Sequence, residues 1–207
     1  HWINYRERFG YPNKHWNDNL PDELWVGDEH AYAIAKEQFP NLFIKIESNA
    51  YFEEVKQAYD QLTIKNNDSL LWISQPISTV MNQLGLAKSQ VTEIDTVRQL
   101  FAYLKKFHPS KKIIFRAHPS EPRDKYSRVF KGYASVLTIH HSENNLLEDI
   151  AQSSIVIGMD SMALVIAYLC GKRVISFLPD QQQNCSIPFD EIVKIKNINQ
   201  LNNYIRD

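Results

Sequence analysis

KKIIFRAHPSEPRDKY, residues 111–126, carries an apolar run, Ile113-Ile114-Phe115, straight into Arg116, His118 and Pro119. A continuous apolar run of that length reads as a strand buried on both faces, and a proline just past its end forbids further ladder pairing. The pattern returns at SIVIGMDSMALVIAYLCGKRVIS, residues 154–176. There a strand at 154–158 gives way to a helix at 161–170, ended by Gly171 in the usual terminating position, and then to a strand at 173–178. Strands without polar alternation, separated by helices, call for a parallel sheet covered on both faces. The predicted fold class is therefore α/β, with a doubly wound parallel sheet.

Outward from these stretches the alternation continues. Strands are predicted at 69–74, 135–140 and 191–195, and helices at 92–107, 123–132, 145–152 and 198–206. Upstream, Leu24–Val26 and Leu42–Ile46 read as strands, with helices at 29–38 and 49–62. TIKNNDS, residues 63–69, is polar and turn-rich, and divides a partial amino-terminal α/β segment (1–65) from the main domain (66–207).

The chain has 207 residues, 43% apolar, which is enough to bury a real core. Its net charge of −1 supplies no global field for nucleic acid or an anionic membrane. The two cysteines, Cys170 and Cys185, lack zinc-type spacing and fit a reducing compartment, hence a cytoplasmic location. No run of about 18 apolar residues is present.

In an open parallel sheet, ligands lie beyond the carboxyl ends of the strands, beside helix amino termini. Arg116 and His118, two residues apart, can point the same way past their strand. Asp160, Ser161 and Met162 open the helix after residue 158, where free N–H groups and the helix dipole favour an anion and the Ser161 hydroxyl adds a donor. Arg116 or His118 opposite that terminus, with Pro119 fixing the turn, would complete a phosphate cradle. Each residue also has a plainer reading: Arg116 as a solvated strand-end charge, His118 as a satisfied loop histidine, Ser161 as a helix cap alone. Asp160 reads as a sugar-hydroxyl or cap partner. His140 and His141, adjacent on an extended segment, face opposite ways and do not make a metal site. With six glycines and no G-x-G-x-x-G, P-loop or G-x-S-x-G pattern, the usual dinucleotide, P-loop and hydrolase readings lack their residues.

IIFRAHPSE (113–121) and NLLEDIAQSSIVIGMDSMALVIAYLCGKRVIS (145–176) resemble the carboxy-terminal nucleotide-binding domain of GT-B glycosyltransferases. The nearest group is that of bacterial surface-polysaccharide enzymes: polysialyltransferases, capsule transferases and CDP-glycerol glycerophosphotransferases. The matching features are His118-Pro119, Ser161 and Gly171-Lys172. The resemblance implies a Rossmann-like domain in which the histidine and the hydroxyl contact the donor phosphate with no obligatory metal or other cofactor. It places the loop around Ser142 and Glu143 near the base, and Ser74-Gln75 facing the cleft. It implies a nucleotide sugar and a glycan or lipid-linked acceptor as partners. Peripheral association at the inner membrane face, through parts outside this chain, is compatible with it. The general base would come from an amino-terminal half, of which residues 1–65 would be a remnant or tail; Asp28-Glu29 is the nearest acidic pair there. Two alternatives stay open. One is a nucleotide-sugar epimerase of the UDP-N-acetylglucosamine 2-epimerase type; the other is a non-catalytic binding module in which His118 and Ser161 serve only turns and caps.

Overall fold

The computed structural model describes residues 20–63, 69–79, 91–179 and 184–205. Contacts divide the chain into two compact units. One runs to Glu54 and takes in Ser186–Phe189; the other holds Val55–Cys185 and Asp190 onward. The division falls inside a helix, upstream of the polar segment predicted as the boundary. Residues 64–68 of that segment lie outside the described residues.

In the first unit, β1 (Glu23–Val26) pairs in parallel with β2 (Phe43–Ile46), and α1 (Glu29–Gln38) connects them. Asp28 caps α1, its carboxylate accepting from the Ala31 N–H at 2.7 Å. The acidic pair singled out in the sequence thus serves a helix start. α2 (Ala50–Asp60), the helix in which the division falls, follows.

The second unit is built on a six-stranded sheet in the order β5-β4-β3-β6-β7-β8, with every pairing parallel. The strands are β3 (Ser69–Ile73), β4 (Lys112–Arg116), β5 (Thr138–His141), β6 (Ser153–Gly158), β7 (Arg173–Phe177) and β8 (Val193–Ile195). β3 is buried along its whole length, as a central strand in a sheet covered on both faces must be. On one face Leu70, Trp72, Phe115 and Ile157 pack with Val97, Leu100 and Phe101 of α3 (Glu93–Phe107), Val129 of α4 (Ser127–Tyr133) and Leu201 of a closing 3-10 helix (Ile198–Asn203). The other face is covered by α5 (Leu146–Ala151) and by α6 (Met162–Leu169), which buries Leu164–Ala167. The Rossmann-like doubly wound fold is as predicted.

Two local details differ from the sequence reading. The strand predicted at 135–140 begins at Thr138, because the N–H groups of Val136 and Leu137 both turn back to the Tyr133 carbonyl and close α4. The last helix is 3-10, capped by Asn197 in a reciprocal capping box with Gln200. α6 ends as its glycine predicts. Gly171 takes φ +73°, its N–H bonds to the Tyr168 carbonyl and that of Lys172 to Ala167, which is a Schellman closure.

Candidate functional site

The strand order reverses between β3 and β6, so the switch-point crevice lies where β3 runs into Ser74-Gln75 and β6 into Met159-Asp160. Gly158 makes this junction possible. A Cβ there would lie 2.9 Å from the Ile73 carbonyl oxygen and 3.0 Å from the Leu164 side chain, so the close approach of β3, β6 and α6 excludes any larger residue. Across the crevice the Asp160 N–H donates to the Gln75 side chain at 2.9 Å. The Asp160 carboxylate accepts from the Cys185 thiol at 3.5 Å. Ser161 caps α6, its hydroxyl oxygen accepting from the Ala163 N–H at 3.3 Å. That leaves Met162, first residue of the helix, with an N–H of the kind a helix start cannot satisfy internally.

On the other side of β3, the strand end of β4 leads into a turn. The Glu121 N–H bonds to the His118 carbonyl at 2.9 Å, with Pro119 in the second position, where its fixed φ is preformed. His118 is exposed, and its Nδ1 lies 2.8 Å from the Ser120 hydroxyl and 3.2 Å from the Ser120 N–H. β4 and β6 flank β3, so the strand ends that lead to His118 and to the α6 terminus lie about 10 Å apart, two strand spacings. Gln75 stands between them.

Two side-chain networks hold these loops. Beneath the His118 turn, the buried Glu121 carboxylate accepts from the His118 N–H (2.9 Å), the Tyr126 hydroxyl (2.7 Å) and Lys125 Nζ (2.8 Å). Tyr126 also meets the Ser74 hydroxyl, and Lys125 also bonds Glu93 at the start of α3. Glu93 accepts from the Ser78 hydroxyl at 2.7 Å. Burial alone would push Glu93 up, but Lys125, backbone N–H donation and Ser78 outweigh it and hold the carboxyl below its usual range. Burial would likewise depress Lys125, and its two carboxylates instead raise it. The Tyr126 phenol is pushed far up by burial, with Ser74 opposing and Glu121 adding to the rise.

The second network sits at the β5–α5 loop. Arg116 Nη1 donates to Asp149 (2.8 Å), to the Asn144 carbonyl (2.8 Å) and more weakly to Ser142 (3.5 Å). The Asp149 side chain is fully buried, and also accepts from the Ser142 hydroxyl. Arg116 anchors the Ser142 loop, and its charge is matched by Asp149. Glu143 is exposed on that loop.

Of the residues the sequence singled out, the structure joins Ser74 to the His118 turn through Tyr126 and Glu121, Gln75 to the start of α6 through Asp160, and Arg116 to Ser142. Among the described residues no direct bond joins His118 and Ser161. Glu93, Glu121, Lys125, Tyr126 and Asp149 were missed. Their one local signal is the Glu121–Lys125 spacing of four. Lys172, part of the resemblance, lies at the opposite end of the sheet, where its ammonium donates to the carbonyls of Ser153 (2.7 Å) and Ala151 (3.4 Å). Its position is structural. Burial pushes the half-buried Cys170 thiol up to about 11, which disfavours its reactive thiolate form. Among the described residues no cluster of His, Cys, Asp and Glu could hold a metal ion, and no helix is long and apolar enough to cross a membrane.

Among solved structures, the UDP-GlcNAc 2-epimerase of Methanocaldococcus jannaschii superposes with a TM-score of 0.56 over 97% of this chain, at 14% identity and covering 59% of the epimerase. The two share a fold. The wall teichoic acid polymerase TagF (TM-score 0.47, 13% identity, 95% of this chain, 48% of that chain) is also similar. So is the beta Kdo 2,7 transferase of Thermosulfurimonas dismutans KpsC (TM-score 0.44, 13% identity, 73% of this chain, 48% of that chain). The chain spans about half the length of these structures. No family model and no curated protein matches the sequence.

Proposed function

We propose that the second unit binds the nucleotide-sugar donor of a glycosyltransferase acting in surface-polysaccharide synthesis. The observation that carries this reading is the switch-point crevice. The Met162 N–H at the start of α6, Gln75 across the crevice and the exposed His118 ring beyond it line the carboxyl edge of three adjacent strands. The donor's phosphates lie between the α6 terminus and His118, and the Ser142-Glu143 loop, held by Arg116 and Asp149, faces the base.

In the reaction, an acceptor hydroxyl attacks the anomeric carbon and the bond from that carbon to the donor phosphate oxygen breaks. Charge grows on the departing phosphate, and the fixed donors of this chain stabilise it without an obligatory metal. Each such donor is worth about 2.7–4 kcal/mol in the transition state. The hydroxyl's proton goes to a base outside the residues assigned here. An epimerase reading uses the same donor site, and product analysis separates the two, since transfer makes a new glycosidic bond and epimerisation does not.

Calorimetric titration with CMP, UDP, CDP and GDP tests the site. One nucleotide binds saturably and His118→Ala weakens it at least about tenfold, the loss of one charge-assisted hydrogen bond. Saturable binding left unchanged by His118→Ala, or no binding by any of the four, overturns the reading.

A further inference from the structure

We infer that Glu121 is a positioning residue, which with the Ser120 backbone locks the His118 ring in the tautomer that carries its proton on Nε2, directed away from the turn. The link to a phosphate ligand rests on the function proposed above; the locked ring does not.

A backbone N–H can only donate. The Ser120 N–H lies 3.2 Å from His118 Nδ1, so Nδ1 is the bare nitrogen and the proton of the neutral ring sits on Nε2. The Ser120 hydroxyl, 2.8 Å from the same nitrogen, then donates to it as well. Among the described residues nothing accepts from Nε2, and the ring is exposed. The turn thus presents the Nε2 N–H outward as a donor.

Glu121 is what makes the turn rigid. A proline turn closes by its backbone bond alone, yet this one also buries a carboxylate, costly unless fully matched. The carboxylate is matched by three donors: the His118 N–H, Tyr126 and Lys125. Two of these are themselves tied to Ser74 and Glu93, so the His118 backbone is fastened to the ends of β3 and α3. Without Glu121 the turn keeps its backbone bond but loses its anchor, and Ser120 no longer holds station under the ring.

The test is long-range ¹⁵N–¹H correlation of the histidine rings of the full chain at neutral pH, with His118 assigned by its loss in His118→Ala. The expected spectrum shows Nε2 protonated and Nδ1 bare in the wild type, and an averaged mixture of tautomers in Glu121→Ala. Glu121→Gln, which keeps an acceptor for the His118 N–H, restores the wild-type pattern. In parallel, Glu121→Ala weakens binding of whichever of CMP, UDP, CDP and GDP the wild type takes by about tenfold while still melting cooperatively. A wild-type ring that is mixed or protonated on Nδ1 overturns the inference, whether or not Glu121→Ala folds. So does a folded Glu121→Ala with wild-type tautomer and affinity. If no nucleotide binds the wild type, the functional reading fails and the tautomer spectra alone decide the role of Glu121.

Discussion

Lys125→Met removes the cation that separates two buried carboxylates. Glu93 and Glu121 both bond Lys125 Nζ, and their side chains are 1% and 0% exposed against 14% for the lysine. Methionine fills the volume and leaves both carboxylates without their shared partner. Breaking a buried ion pair from one side costs about 3–5 kcal/mol, because the abandoned charge stays buried. In a domain of this size each kcal/mol shifts the melting temperature by roughly 2–4 °C, so the variant should melt about 6–20 °C lower at pH 7. The pH dependence carries the sign. In the wild type the folded Glu93 pKa is lowered, so its stabilisation is present above the unfolded carboxylate range and lost as pH falls through the folded value. In Lys125→Met the effect of burial on Glu93 is no longer opposed by the lysine, so its folded value should rise; that penalty is full at neutral pH and relieved as pH falls towards the unfolded range. Thermal melts followed by circular dichroism at pH 7 and pH 5 should therefore show the gap between variant and wild type narrowing at the lower pH. A variant within about 2 °C of wild type at pH 7, or a gap that widens on acidification, refutes the network as the element holding the cleft loops.

Gly158→Ala forces a methyl group against the Ile73 carbonyl, and should cost about 1–3 kcal/mol by chemical denaturation. Nucleotide affinity should fall with it, since the backbone that moves is the crevice itself. Asp149→Asn removes the buried charge facing Arg116 and should lower stability by about 1.5–3 kcal/mol, read in the same denaturation assay. Gly171→Ala strains the left-handed closure of α6 and should cost about 1–2 kcal/mol without changing nucleotide affinity, because it lies at the far end of the helix.

The sheet was legible because the central strands are continuous apolar runs: Leu70–Ile73, Ile113–Phe115 and Ile155–Ile157 announce burial on both faces. The ends of α6 were legible too, since Ser161 and Gly171 are local signals that local geometry uses. β5 was placed early because Val136 and Leu137 look like strand residues but are spent on closing α4, a competition decided by hydrogen bonds to Tyr133. The positions of His118 and Ser161 followed from the strand ends. Their supports did not. Lys125 finds Glu93 across 32 residues and Arg116 finds Asp149 across 33, separations at which no sequence period survives. For the same reason the sequence offered no partner for Arg116, whose Asp149 lies a helix away. Gly158 was visible as a strand end, but the carbonyl pressing on it belongs to β3.

In the function proposed above, an anionic nucleotide ligand spans the crevice from α6 to the His118 turn. Amide chemical-shift mapping during titration with the nucleotide that binds, among CMP, UDP, CDP and GDP, tests this most directly. The largest shifts are predicted at Met162, Gln75 and His118, with a second group at Ser142 and Glu143. Saturable shifts centred away from the carboxyl ends of β3, β4 and β6 would contradict it.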